Sequence, residues 1–372
     1  MTTQRLPLQR HVPRLVARSP ARRRGLPGAA LVYGLGALLL LCAVAVATAA
    51  GSASIGLGDT LRILIDWLPF VELEQRWTDA EATILREIRL PRVISAALVG
   101  AALSVAGAIF QGVFRNPLVD PFIIGASSGA AFAAVIGFLI APQAGFIIYG
   151  FSWVPALAFA GSLATVLLVY FLARSDGRVA VTTLLLAGVA VGAFLTAAMS
   201  FLMLTQSDSQ FRLGAILSWL LGGVGTVGWQ QFLLLGPFVA AGLLVARALA
   251  QPLNALALGE EHAHALGVRV ERTKLILIAA SSLMTAAAVA AAGLVAFVGL
   301  VTPHVLRLLI GPDHGRLLWA SALYGALFVV LADLAARMLL SPTEVPLGVI
   351  TGIVGGPFFL LLLRRARGQY VF

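Results

Sequence analysis

The sequence predicts an all-α polytopic membrane protein of about ten transmembrane helices, and three observations predict it. Composition is the first: 60% of the 372 residues are apolar and 11% are charged, whereas a soluble domain carries about 25% charged residues. Segment length is the second, because apolar stretches of about 20 residues, enough to cross ~30 Å of hydrocarbon, recur along the chain. The third is where the charge sits. The net charge is +10, yet the basic residues punctuate the apolar stretches and are not interleaved with aromatics on one face. That pattern excludes nucleic acid as a partner and points to lipid.

Taken in order, residues 1–28 form a basic tail with Arg5, Arg10, Arg14, Arg18, Arg22, Arg23 and Arg24, and the ten-span unit occupies 29–372. The first span, 29–50, holds the single cysteine, Cys42, which rules out a disulfide framework and a Cys-based metal site. An Arg-rich start and Ala47-Thr48-Ala49 give it the outline of a signal peptide, but its apolar core of about 22 residues exceeds the usual 7–15. A polar loop over 51–88 follows, with seven acids against three Arg. The second and third spans, 91–114 and 121–140, flank Arg115-Asn116-Pro117-Leu118. Small residues let helix backbones approach closely there, and an Asn-Pro turn frees backbone groups that must face protein or water, as a transport path requires.

The fourth, fifth and sixth spans are 148–172, 180–204 and 229–249, with a polar stretch over 205–228. Residues 250–273 then mix polar and apolar side chains at helical spacing and contain Gly259 and Gly267. This predicts two short cytoplasmic helices that offer a docking surface to another protein. The last four spans are 274–296, a short one near 302–311, 317–339 and 345–363. With the N-terminus inside, the inner loops and tails gather most of the 26 Lys and Arg, including Arg364, Arg365 and Arg367. Both termini are therefore expected in the cytoplasm.

Gly107, Pro117 and Gly125 match Gly293, Pro303 and Gly311 at a constant offset of 186 residues. An odd number of spans separates the two copies, so helices 2–5 and 7–10 are expected to form an inverted repeat around a central path.

No constellation for an enzyme is compelling. His262 and His264 stand two apart, on different faces of a helix, which argues against a metal site. Gly223, Gly225 and Gly228 satisfy G-x-G-x-x-G but lie between two spans without a strand and helix around them. No phosphate-binding G-x-x-x-x-G-K-[ST] loop occurs, so nucleotide energy must come from a partner, and no cofactor is expected. Charges inside spans each cost roughly 2.5–3.5 kcal/mol unless paired or wet. Asp333 and Arg337 stand four apart: either they form a structural ion pair, or Arg337 sits beside Glu344 at the outer surface and meets something that docks there. Arg89 and Arg92, around Pro91 at the outer edge of the second span, are docking charges or interfacial anchors.

Several segments in order carry a family resemblance: Arg89 to Arg92, Gly100 to Ala130, Leu184 to Gly192, Trp219 to Trp229, Ala265 to Val268, Gly293 to His314, Asp333 to Arg337 and Glu344 to Gly348. Over about residues 85–365 the chain resembles the permease subunits of type II ABC importers for iron chelates and cobalamin. The resemblance implies a homodimer in the bacterial inner membrane with its path on the two-fold axis. Two cytoplasmic ATP-binding subunits would lie below, and a periplasmic substrate-binding protein above. It implies that Arg89, Arg92 and Arg337 dock the binding protein, that Asn116 and Leu118 form one inner constriction, and that Val181 with Thr182 forms the other. Val181 is apolar where a relative has a hydroxyl. The stretch from Leu256 through Gly259, Glu260, Ala265 and Leu266 to Gly267 corresponds to ATPase-coupling helices. Within the family, QGVFRNPL followed by DPFIIGASSGA resembles the haem-importing branch most, which ranks haem ahead of ferric siderophores and cobalamin. The rival class is an ion-gradient-driven secondary transporter, for which only Asp333 qualifies as an intramembrane coupling acid.

Overall fold

The computed structural model describes residues 28–366, apart from 52–54, 72, 141–146, 149–150, 176–177, 206–209 and 226–227. The basic tail over 1–28 thus lies outside the described residues except for Gly28. Helix α1 (Ala29–Ala49) is followed by α2 (Leu57–Asp66) and α3 (Asp79–Thr83), which runs through a π turn over Ile84–Arg89 into α4 (Leu90–Val113). A 3₁₀ turn, Pro121–Ile124, leads into α5 (Ala126–Ile140). Then come α6 (Trp153–Ala173), α7 (Val181–Leu204), α8 (Gln210–Leu220) and α9 (Gln230–Ala248). The short pair α10 (Ala250–Ala257) and α11 (Glu260–Ala265) precedes α12 (Val270–Ala292), α13 (Val298–Ile310), α14 (His314–Met338) and α15 (Leu347–Ala366). The described strands are two-residue hairpin pairings, one of which joins Arg174–Ser175 to Arg178–Val179.

Among the described residues, seven helices are long and apolar enough to cross a membrane and three more are shorter and apolar, which matches the ten expected spans. The second begins earlier than its apolar run, at Asp79. Asp79, Glu81, Arg86, Glu87 and Arg89 hide that start from a hydropathy reading. Its local signal is a capping box: Thr78 Oγ1 accepts from Glu81 N at 3.2 Å while Thr78 N donates to Glu81 Oε2 at 2.8 Å.

Helix α4 is the axis of the bundle, with 83% of its most apolar stretch buried, against 17% for α1 and 11% for α7. It packs against α12, α13 and α14. Glycine permits the close approach: a Cβ on Gly107 would overlap the Gly299 carbonyl of α13, and one on Gly100 the Gly325 carbonyl of α14.

Two series of helices follow one pattern of lengths. From α4 to α7 the helices have 24, 15, 21 and 24 residues. From α12 to α15 they have 23, 13, 25 and 20. This supports the inverted repeat at the level of elements. The gapless offset of 186 does not survive, however. Gly107 lies within α4, whereas Gly293, at φ 66°, ends α12; Pro117 lies between helices, whereas Pro303 is inside α13. The connection over 114–125 is longer than that over 293–297, so a fixed offset cannot align both.

Candidate functional site

At the end of the bundle expected to face outward, Arg92 and Arg337 join one ionic cluster, and Arg89 lies beside it on the end of α1. Arg92 reaches Asp333 Oδ1 at 3.0 Å and Glu344 Oε2 at 2.8 Å. Arg337 Nε meets Asp333 Oδ2 at 3.0 Å, and its other nitrogens donate to the Ala47 and Ala50 carbonyls at 2.9 Å. Arg89 donates to the carbonyls of Thr48 and Ala49. Cations at these carbonyls complement the negative end of α1 and satisfy groups that a helix C-terminus leaves without partners. The structural ion pair is thus the observed arrangement for Asp333 and Arg337. Arg89 and Arg337 are buried at 6% and 9% exposure, away from the accessible positions expected of docking charges, because the α1 carbonyls draw them inward. Of the three, Arg92 lies at the solvent edge beside Glu344, whose side chain is 52% exposed. The Arg92 guanidinium holds the Glu344 carboxyl below its ordinary range.

At the opposite end, α4 stops at Phe114 and the backbone turns through Arg115 at φ 51°. Asn116 Oδ1 accepts from Leu118 N at 2.9 Å, an Asx turn that the Asn-Pro spelling encodes. Asp120 caps the 3₁₀ turn by accepting from Phe122 N at 2.9 Å. Asn116 is exposed and Leu118 half-buried; Val181 is half-buried and Thr182 exposed, at the first turn of α7.

The segment expected to contact the ATPase reaches the Asn116 turn, where a Cβ on Gly259 would lie 3.8 Å from Arg115 Nη1. Gly259 adopts φ 123° and Gly267 φ 79°, left-handed conformations that explain glycine at each turn. Glu260 is half-buried, while Ala265 and Leu266 are exposed on α11 and its cap. Leu256 departs from expectation. It is 2% exposed because α10 turns Leu253 and Leu256 into the bundle, and the outward leucines of this segment are Leu258 and Leu266 at 69% and 68%.

Sequence reasoning missed the polar staple of α10. Asn254 Nδ2 donates to Asp313 Oδ1 at 2.6 Å, and Asn254 Oδ1 accepts from His314 N at 2.8 Å. Burial raises the Asp313 pKa, but this amide and Gly315 N–H outweigh it and hold the carboxyl below its ordinary range. Gln111 likewise bonds the Gly299 and Leu300 carbonyls and accepts from Arg307 at 2.9 Å. A lone polar residue in an apolar run was the available signal for Gln111. Asn254 had none. Among the described residues, no group of three His, Cys, Asp or Glu could hold a metal ion.

The FecCD transport family matches residues 38–365. This chain belongs to that family. The permease is 40% identical to the hemin transport system permease HmuU of Yersinia pestis over 345 residues, 90% of this chain and 96% of that one. It is 46% identical to the cobalamin import system permease BtuC of Halobacterium salinarum over 281 residues, 76% and 73% of the two chains. The Fe(3+) dicitrate transport permease FecD of Escherichia coli is 39% identical over 284 residues, 76% and 86%. A solved structure described as an inward-facing conformation of a putative metal-chelate type ABC transporter superposes with a TM-score of 0.75 at 29% identity, covering 90% of this chain and 99% of that one. The protein is a multi-pass permease subunit of an ABC importer for iron chelates, haem or cobalamin. ATP hydrolysis belongs to separate ATPase partners, and such permeases work with substrate-binding proteins. The secondary-transporter alternative falls with this membership.

Proposed function

We propose that this permease imports haem across a bacterial inner membrane, as a homodimer with both termini in the cytoplasm, by alternating access. The observation that carries haem is the nearly end-to-end match to a hemin permease, 90% of this chain against 96% of that one; ferric siderophores and then cobalamin rank behind. Homodimerisation is supported by α7. Only Leu184 and Gly188 are buried on it, and its exposed residues include Ala190, Ala193 and Ala197, small side chains of the kind that favour a helix partner over lipid. The constriction is assigned to Asn116 and Leu118 on one side and to Val181 and Thr182 on the other. Gly259, Glu260, Ala265, Leu266 and Gly267 form the ATPase contact, with Leu256 anchoring it from beneath. Docking of the binding protein is assigned to the rim through Arg92, with Arg89 and Arg337 fixing the rim's shape.

The test is uptake into proteoliposomes holding the permease, its ATP-binding subunits and its binding protein, with haemin, a ferric hydroxamate and cyanocobalamin offered separately. ATP-dependent accumulation of haemin above the other two is expected. Preference for another cargo overturns haem, and uphill accumulation without the ATP-binding subunits overturns the mechanism.

A further inference from the structure

The chain contains a single lysine, Lys274, and it lies at the junction of three inner elements. Its side chain is 4% exposed. The Nζ donates to Glu260 Oε1 on α11 at 3.2 Å and to the Val179 carbonyl at 3.2 Å, and meets Glu271 Oε1 on its own helix at 2.7 Å. Glu271 closes the ring by accepting from Val179 N at 3.2 Å through Oε2. Both backbone polar groups of Val179 are thereby held, and Ala180 and then Val181, the first residue of α7, follow directly.

The residue type fits the task. An ammonium is a compact charge with three donors that can point to three separate acceptors, whereas a guanidinium presents a planar fork. The rest of the 26 Lys and Arg are arginine; the one lysine stands where two carboxylates and a carbonyl converge. A buried charge of this kind is tolerated only with such partners. Glu260 opens the helix expected to contact the ATPase, so displacement of α11 pulls on Lys274, and Lys274 holds the backbone that leads into α7.

We propose that Lys274 is a positioning residue that relays movement of α11 to the first turn of α7, with Glu271 keeping the Val179 backbone in register. This rests on the coupling and gate assignments made above. The test uses the permease assembled with its ATP-binding subunits, carrying Cys42→Ser and Thr182→Cys, and measures the rate at which a charged maleimide modifies position 182. In this background, ATP trapped with vanadate should change that rate roughly tenfold, within the range of ordinary coupling free energies. With Lys274→Met added, the complex should still co-purify and hydrolyse ATP, but the nucleotide effect should shrink to less than about twofold. Glu260→Gln alters a side chain 42% exposed, which folding tolerates, and should reduce the effect to roughly threefold. A full nucleotide effect in either variant overturns the relay and leaves Lys274 a static brace. No nucleotide effect in the Lys274 background removes the gate assignment itself, and the relay with it.

Discussion

Asp333 shows how much a single residue can carry in a bilayer. It is 1% exposed and bonds both Arg92 and Arg337, so removing its carboxylate leaves two guanidinium groups short of a counter-charge in a medium that solvates them poorly. Breaking a buried pair costs about 3–5 kcal/mol, while an exposed one is worth about 0–1 kcal/mol. Asp333→Ala should therefore lower stability by about 3 kcal/mol, the lower bound because Glu344 and the α1 carbonyls remain. Glu344→Ala should change stability by less than about 1 kcal/mol. Thermal unfolding in detergent compares the two, and equal losses would mean that burial does not set the difference. The four-residue spacing of Asp333 and Arg337 announced this pair, because one helix face follows from spacing alone. Nothing announced the attraction that turns Arg89 and Arg337 inward, since the carbonyls of Ala47, Thr48, Ala49 and Ala50 carry no side-chain signature.

At the scale of elements, apolar length announced nearly all the spans, since a bilayer demands it whatever the tertiary contacts. What it could not announce was which helix lies at the centre: α4, α6 and α7 read alike, with mean hydropathies of 2.2, 2.2 and 2.1, yet α4 alone of these is enclosed. The difference lies in where backbones meet. A Cβ on Gly107 has no space beside the Gly299 carbonyl, and neither partner can move as a flexible side chain could. Gly107→Val should abolish a monodisperse, folded peak in size-exclusion chromatography. Gly214→Val, at a site with nothing within 4 Å of the added carbon, should leave the peak intact. Similar behaviour of the two variants would show that the α4 to α13 contact is not tight. The turn at Asn116 and Pro117 was legible for a local reason, the Asx geometry, whereas the fixed offset of 186 within the repeat misled because connecting segments change length freely while helices must keep to the membrane.

For the whole molecule, the two faces use charge differently. The rim pairs Arg92 and Arg337 with the buried Asp333 and leaves Glu344 exposed at its edge; the opposite end closes its charges into the ring around Lys274. An exposed charge such as Glu344 acts through the field it projects, which steers encounters and is screened within about 10 Å at 0.1 M salt. Glu344→Gln should raise the association rate of the substrate-binding protein by roughly threefold at about 0.01 M salt, with no difference at about 1 M. Surface plasmon resonance reads this directly, and an unchanged rate at low salt would show that the rim does not steer its partner. The rim also has a bearing on biogenesis. Arg337 closes on the Ala47 carbonyl across 290 positions of the chain, so a nascent polypeptide leaving the ribosome carries α1 into the bilayer long before its latch is synthesised. Until α14 follows, Arg89 is the one rim arginine that can hold the end of the first helix, and the rim can set only when translation is nearly over.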